Sequence, residues 1–486
     1  MTRVRAGWVL AGGAALGLAF PEADLGPLAW IAVAPLLLAV TGDTSARAAA
    51  GYGMLFGITF FGVLLAWLSI VGYIAFVLVI LLESSFIALY AVLYRYLAHA
   101  SRGSAVRIIA APVLWVVIEF LRAHVPAGGF VWGQLAQSQN ELPWMLRPAA
   151  LGGGWLVAFL VIAINALVAE TVRRREWRTA LGALALVALP VVVPKNSSAG
   201  EPVRVAIVQG NVPRNFAGSS FDKHVEITRS HAELTQRLDP DAVDLVVWPE
   251  SALNLDFEQV PEVELLLQDA ARAVGRPMIV GGNREAPGDR YRVMAFQVSP
   301  DGEVVDSYQK THLVPFGEYV PARAAIGWIP MLDQVPRDAV PGKERTIFDV
   351  AGGSVAPVIS FEGDFGSLVR ERIAEGGRML VVATNTSTWG ESWASAQHVA
   401  FSRVRAVENG VWVVHAAISG ISAVIAPDGR VTGSLPLWSA GTLVRNVTFA
   451  GSITPYARIG DWVPWSCIIG MVTIAAWRRA VVRLTR

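Results

Sequence analysis

Apolar residues fill the first 195 positions in long blocks, separated by short polar or arginine-bearing joints. A bilayer core about 30 Å thick takes roughly 20 mostly apolar residues in helix, fewer where a helix is short or partly interfacial. Seven blocks meet that measure, at 7–20, 25–41, 49–70, 72–98, 105–121, 148–171 and 178–194, and an eighth lies at 462–480. The stretch 200–455 reads differently, with short β-branched runs, Asp-Gly and Pro-Gly turns and dispersed charge. Runs such as 203–208, 244–248, 277–282, 355–359 and 379–383 predict strands, and 223–238, 261–274 and 366–376 predict helices. Alternating buried strands and helices make a layered α/β domain. The pattern therefore predicts a polytopic α-helical membrane bundle of about eight helices (1–195 and 460–486), with an α/β domain (200–455) inserted between the seventh and the eighth.

Composition strengthens the membrane reading: of 486 residues, 53% are hydrophobic and only 16% charged, too apolar for an ordinary soluble chain of this length. A formal charge of +1 gives no bulk electrostatic support for a nucleic-acid partner. Cys467 is the one cysteine, so no intrachain disulfide forms. The start, Arg3-Val4-Arg5 followed by an apolar run, could pass for a signal peptide. Further apolar segments follow without an A-x-A-like site before a soluble domain, so a retained first helix is expected.

Arginine placement sets the orientation, because positively charged short loops stay cytoplasmic. With the N-terminus inside, the inside joints carry Arg3 and Arg5, Arg47, Arg95, Arg102 and Arg107, then Arg173, Arg174, Arg175 and Arg178, and finally the tail Arg478, Arg479, Arg483 and Arg486. Outside lie only Arg122 and Arg147, in the long joint 122–147. This puts 200–455 outside the cytoplasm and both termini within. Trp132 and Trp144 of the long joint suit the headgroup level. Interfacial anchoring accounts for them; alternatively, this joint helps to form the lipid-facing mouth of a site.

In a layered α/β domain the functional groups sit where strands end, and three strand ends carry chemistry. Trp248-Pro249-Glu250-Ser251 puts a carboxylate just past an apolar run, Tyr308-Gln309-Lys310 sets a lysine ahead of a Pro- and Gly-shaped turn, and Ile359-Ser360-Phe361-Glu362-Gly363 offers a small nucleophile followed by an acid. Each alone is weak, because a Glu or Lys after a strand is commonly just solvent-facing; their order is more specific.

With that order the domain resembles the nitrilase superfamily, an α-β-β-α sandwich whose catalytic set is Glu, Lys and Cys. Joined to the membrane helices, the chain resembles the apolipoprotein N-acyltransferases over essentially its whole length. The resemblance rests on Lys310-x-His312-Leu313-Val314-Pro315-Phe316-Gly317-Glu318-Tyr319-Val320-Pro321, on Val208-Gln209-Gly210-Asn211, on Trp248-Pro249-Glu250 and on the block from His398 to Asn409. Ser360 departs from it, standing where the family has its nucleophilic cysteine. Arg292 after Tyr291 and Thr386 after Asn385 are lesser departures.

The resemblance implies Glu250 as general base, Lys310 as oxyanion stabiliser together with a backbone N–H near Phe361, and Ser360 at the nucleophile position, with Glu318 and Glu362 orienting the lysine and the base. It implies ping-pong transfer of an acyl chain from a phospholipid to the N-terminal amine of a diacylglyceryl-modified cysteine on a lipoprotein. No cofactor, metal or nucleic acid enters, and the location is the bacterial cytoplasmic (inner) membrane. Both substrates are lipids, so entry sideways from the bilayer is expected. Trp132, Trp144 and the segment 322–340, with Trp328 and Ile329, are candidates for the lining or lid.

A thiol titrates near about 8.5, within reach of a carboxylate base in a dry pocket, whereas an alcohol usually needs a stronger, well-aligned base. Three readings of Ser360 follow: an engineered Cys→Ser substitution, a natural serine enzyme, or a natural inactive relative. Two rival functions stand beside acyl transfer: a membrane-tethered nitrilase-like amidase using water, and a non-catalytic lipoprotein-binding relative.

Overall fold

The computed structural model describes residues 3–100, 103–197 and 200–484; Arg102 and Arg486 of the charge pattern lie outside them. The chain divides into two compact units. The first comprises the residues up to 196, Ser392–Ala400 and the residues from 454 on; the second comprises Ser197–Glu391 and Phe401–Ile453.

Every apolar block lies in helix, but length separates them. Among the described residues, Ala46–Leu64, Tyr73–His99, Ser104–Arg122 and Ala149–Arg174 are long and apolar enough to cross a membrane, while Gly26–Val40, Trp177–Val192 and Trp462–Thr473 are shorter apolar helical stretches. The first block forms the 16-residue helix Arg3–Leu18. Prolines explain the short pieces, since a proline lacks the N–H that an inner helical turn needs. Pro27 and Pro35 stand at the starts of Gly26–Trp30 and Ala34–Val40. Apolar surroundings demand that the freed backbone groups find partners inside the protein. Asn165 supplies them: its Oδ1 accepts from Val33 N (2.8 Å) and Ala34 N (3.0 Å), and its Nδ2 donates to Ala29 O (2.7 Å).

In the second unit the strands, in chain order, are β1 (Pro202–Gln209), β2 (Leu245–Leu253), β3 (Met278–Ala286), β4 (Arg290–Val298), β5 (Val304–Gln309), β6 (Phe348–Val350), β7 (Gly353–Ile359), β8 (Met379–Thr384), β9 (Trp412–Ala417), β10 (Ser422–Ile425), β11 (Val431–Leu435) and β12 (Gly441–Thr448). They form two six-stranded sheets, β12-β1-β2-β3-β4-β5 and β11-β10-β9-β8-β7-β6. Parallel pairs (β1/β2, β2/β3 and β7/β8, β8/β9) lie inside each sheet, and antiparallel pairs flank them.

Strands covered on both faces read as continuous apolar runs, and β8 is buried at all six positions. Facing side chains of the two sheets, among them Val205, Ile207, Val247 and Ile279 against Val355, Met379, Val381 and Val414, make one core. The opposite face of the first sheet, with Val208, Val246, Trp248 and Val280, packs on Val225 and Ala232 of the helix Ser220–Gln236 and on Val263, Leu267 and Val274 of the helix Pro261–Val274. The helix Gly366–Ala374, with Val369 and Ile373 buried, covers the second sheet. The layering is the α-β-β-α sandwich of the nitrilase fold. The pattern of alternation predicted the layers; register decided which strand ends meet.

Candidate active site

Glu250 lies toward the C-terminal end of β2, Lys310 directly follows β5, and Ser360 directly follows β7. All three are nearly buried, with 7%, 1% and 8% of their surface exposed. Two of the strands belong to one sheet and the third to the other, so only the face-to-face packing of the sheets brings the three ends together. The turns are tight: Ser251 (φ 65°), Phe316 (φ 61°) and Ser360 itself (φ 49°) adopt left-handed backbone, a conformation that costs a non-glycine residue and persists only where surroundings enforce it. Beneath Glu250 the neighbouring strand must be bare. A Cβ on Gly281 would stand 2.7 Å from Glu250 Cα, and closer still to Pro249 O.

Lys310 Nζ donates to Glu318 Oε1 at 2.5 Å and to Glu250 Oε1 at 3.3 Å. Glu318 Oε2 accepts from Val314 N (2.7 Å), which fixes that carboxylate within its own loop. Glu250 Oε2 accepts from Asn385 N (2.8 Å). Ser360 Oγ accepts from Thr384 Oγ1 (3.2 Å). Burial pushes the Glu250 carboxyl above the ordinary carboxylate range; Lys310 opposes that shift and Glu318 adds to it. Burial works against the Lys310 ammonium, but the charges of Glu250 and Glu318 more than offset it and hold the amine protonated well above its usual range. His312, partly buried, is pushed down by burial, so its ring is neutral near pH 7.

Glu362 holds the turn of Ser360 to the loop of Lys310. Its Oε2 accepts from Ile359 N (2.9 Å), and its Oε1 accepts from Thr311 N (2.7 Å), Thr311 Oγ1 (2.8 Å) and His312 N (3.1 Å). Phe361 is half-buried, stacked on His312 at 5.9 Å and edge-on to Phe365 at 4.9 Å. The arrangement supplies a proton acceptor with raised affinity, a permanent cation and a hydroxyl on a strained turn. These are the parts of nucleophilic acyl chemistry. Among the described residues no group of His, Cys, Asp and Glu side chains is arranged to hold a metal ion.

Of the other sequence candidates, Trp132 and Trp144 belong to the first unit and Trp328 and Ile329 to the second. Trp132 is buried in the first unit: its Nε1 donates to Gln397 Oε1 (2.7 Å), which also accepts from Trp67 Nε1 (3.1 Å), while Gln397 Nε2 donates to Pro21 O and Leu64 O. Trp144 is half-buried, edge-on to Trp30 at 6.1 Å. In the second unit Trp328 is 80% exposed, and Ile329 packs with Ile326 on a small cluster of Val320, Leu332 and Val335. The segment carrying them is anchored by Arg323, which donates to Asp338 at 2.6 Å. Sequence reading missed Thr384 and the Asn385 amide. Both sit at the end of β8, an apolar run that ends in polar residues, which was the available signal.

Two family models match the chain: the apolipoprotein N-acyltransferase N-terminal domain over residues 12–167, and the carbon-nitrogen hydrolase over residues 204–454. The apolipoprotein N-acyltransferase of Geobacter metallireducens is 32% identical, covering 96% of this chain and 93% of its own. That of Gloeobacter violaceus is 31% identical, again over 96% and 93%. Among solved structures, an amidase from Nesterenkonia sp. aligns with 52% of this chain and 92% of its own at 20% identity and a TM-score of 0.39.

Proposed function

This chain belongs to the apolipoprotein N-acyltransferase family, and on that premise we propose that it transfers an acyl chain from a phospholipid to the N-terminal amine of a diacylglyceryl-modified lipoprotein, by a ping-pong route through residue 360. In the first half-reaction Glu250 takes the proton of residue 360, whose side chain bonds to the ester carbonyl carbon. The oxyanion forms against Lys310 and a backbone N–H near Phe361. The carbon–oxygen bond to glycerol breaks, and Glu250 returns the proton to that oxygen, releasing a lysophospholipid. In the second, the amine nitrogen attacks the acyl-enzyme, its proton passes through Glu250, and the residue 360 side chain leaves.

The observation that carries this reading is the sharing of Lys310 by two carboxylates, Glu318 at 2.5 Å and Glu250 at 3.3 Å. Each carboxylate also accepts from one backbone N–H, but Glu318 takes the shorter bond to the lysine, so Glu250, held more loosely, is the carboxylate assigned the proton exchange while the lysine stays charged. Serine weakens the first step, because an alcohol yields its proton to a carboxylate far less readily than a thiol. Ser360→Cys therefore raises acyl transfer to a lipopeptide amine. Mass spectrometry of that protein with phospholipid alone shows one acyl chain added at residue 360. Equal turnover by the serine and cysteine forms would make the chain a serine enzyme in its own right. Release of free fatty acid with no lipopeptide product would favour the water-using alternative.

The arginine distribution supports a catalytic unit outside the cytoplasm of a bacterial inner membrane, with both termini inside. Protease added to right-side-out spheroplasts then cuts within 200–455 and spares a C-terminal tag. The exposed Trp328 with Ile329 behind it supports a lipid-facing flap on the second unit.

A further inference from the structure

The helix Gly366–Ala374, just beyond the nucleophile's turn, buries a cation that the chemistry above does not use. Arg372 is 2% exposed and is paired with no carboxylate among the described residues. One terminal nitrogen, Nη1, is buried without a hydrogen-bond partner, and the other donates to Tyr308 OH at 2.6 Å. The guanidinium carbon also stands 4.4 Å from the centre of the Tyr308 ring. Tyr308, at 0% exposure, donates in turn to Glu362 Oε1 at 2.7 Å. A cation and an anion are thus joined through one hydroxyl in a solvent-free place.

A buried charge left without an opposite charge is strongly unfavourable. A hydroxyl polarised by a cation on one side and an anion on the other makes two charge-assisted hydrogen bonds, each stronger than a neutral one. Burial and then the charge of Glu362 push the Tyr308 hydroxyl well above its usual range, so it remains a donor. The anion at the end of the line ties Ile359, which precedes Ser360, to Thr311 and His312, which follow Lys310.

We propose that Arg372 and Tyr308 are positioning residues: through the Tyr308 hydroxyl the buried guanidinium holds Glu362 as the clamp that sets the spacing between residue 360 and Lys310. Neither touches the reacting atoms. The proposal rests on the reading of Glu250, Lys310 and residue 360 given above. A merely space-filling arginine would act through packing, and its effect would not depend on Glu362.

The test uses full-length protein in nanodiscs, in the Ser360→Cys form, with Tyr308→Phe, Arg372→Met, Arg372→Lys and Glu362→Gln made singly and in pairs. One readout is hydrogen exchange at the amides of Ile359, Thr311 and His312; the other is kcat and KM with a phospholipid donor and a lipopeptide acceptor. Tyr308→Phe is expected to speed exchange at those three amides and to lower kcat by about tenfold or more, the loss of one charge-assisted hydrogen bond, with KM nearly unchanged. Arg372→Met is expected to act in the same direction, with Arg372→Lys milder, and it carries the comparison if Tyr308→Phe does not fold. In the Glu362→Gln background neither substitution adds to the loss, since residues acting as one unit are non-additive. Additive losses in that background overturn the proposal, as does faster exchange spread evenly over the domain with kcat intact. If the Ser360→Cys protein transfers no acyl chain at all, the functional reading fails, while the exchange pattern still decides for or against the relay.

Discussion

One buried cluster of the helical unit and one of the α/β unit set carboxylates beside cations in opposite proportions. In the first, one acid faces three arginines. Glu170 is held by Arg107 through two bonds (2.6 and 2.9 Å), and Arg173 and Arg174 each lie 3.4 Å away. In the second, one lysine faces two acids, Glu318 and Glu250. A carboxylate crowded by guanidinium groups has its lone pairs committed and serves as an anchor. A carboxylate that must share its only cation with a second anion in a buried place gains affinity for a proton, which is the property a general base needs. The lesson is that a buried ion pair reads as structure or as chemistry according to which charge is in surplus.

The comparison breaks most sharply at the shared lysine. In the Ser360→Cys protein, Glu250→Gln or Lys310→Met is expected to lower acyl transfer by about 10²–10⁴-fold, measured as kcat/KM on a lipopeptide acceptor. Survival of most activity in either variant would return the site to the anchoring class.

Glu318→Gln is expected to cut the rate by about 10–100-fold, as one charged hydrogen bond to Lys310 is lost. It also moves the pH profile. In the proposed mechanism Glu250 works as the ionised base, and burial together with Glu318 raises its pKa, so activity is expected to fall with falling pH through a value above the ordinary carboxylate range. Removing the Glu318 charge shifts that acid limb to lower pH; a shift upward would contradict the surplus-anion account.

Gly281→Ala forces a methyl group against the backbone of Pro249 and Glu250. Overpacking of this kind costs about 1–3 kcal/mol, read as a lower denaturant midpoint, and it is expected to lower kcat as well, because the group displaced is the proposed base. At Glu170 the two effects separate. Glu170→Gln is expected to cost about 2 kcal/mol of stability, the scale of a hydrogen bond to a charged group, while kcat stays near the parent value.

The smallest effect belongs to Trp328, which lies in neither charged cluster. Trp328→Ser is expected to change stability by no more than about 0.5 kcal/mol, yet to weaken acylation by long-chain phospholipid more than by a short-chain soluble ester. Equal losses with both donors would count against a lipid-facing flap.

Much of this was legible along the chain. Apolar block length is a local property, and all eight blocks proved helical; strand and helix alternation is local too, and it gave the layers of the second unit. Glu250, Lys310 and Ser360 stood out because each follows an apolar run at a turn. What the chain order could not display were relations across long separations. Glu250 and Lys310 are 60 residues apart, and Glu250 and the Asn385 amide are 135 apart. Their meeting depends on sheet order and on one sheet packing face to face on the other. Asn165 reads as an isolated polar residue in an apolar block, and only the fold shows it supplying partners to a proline-broken helix. Trp132 reads as an interfacial ring, and only the fold turns its N–H inward to Gln397. Arg372 lies in the predicted helix 366–376 with nothing in the chain order to set it apart, and only the fold buries it against Tyr308. Hydrophobic periodicity is written residue by residue, so sequence determined the elements and the candidate chemistry. Desolvation and hydrogen-bond partnership arise only when distant segments exclude water together, so tertiary structure decided which buried carboxylates are crowded by cations and which must share one.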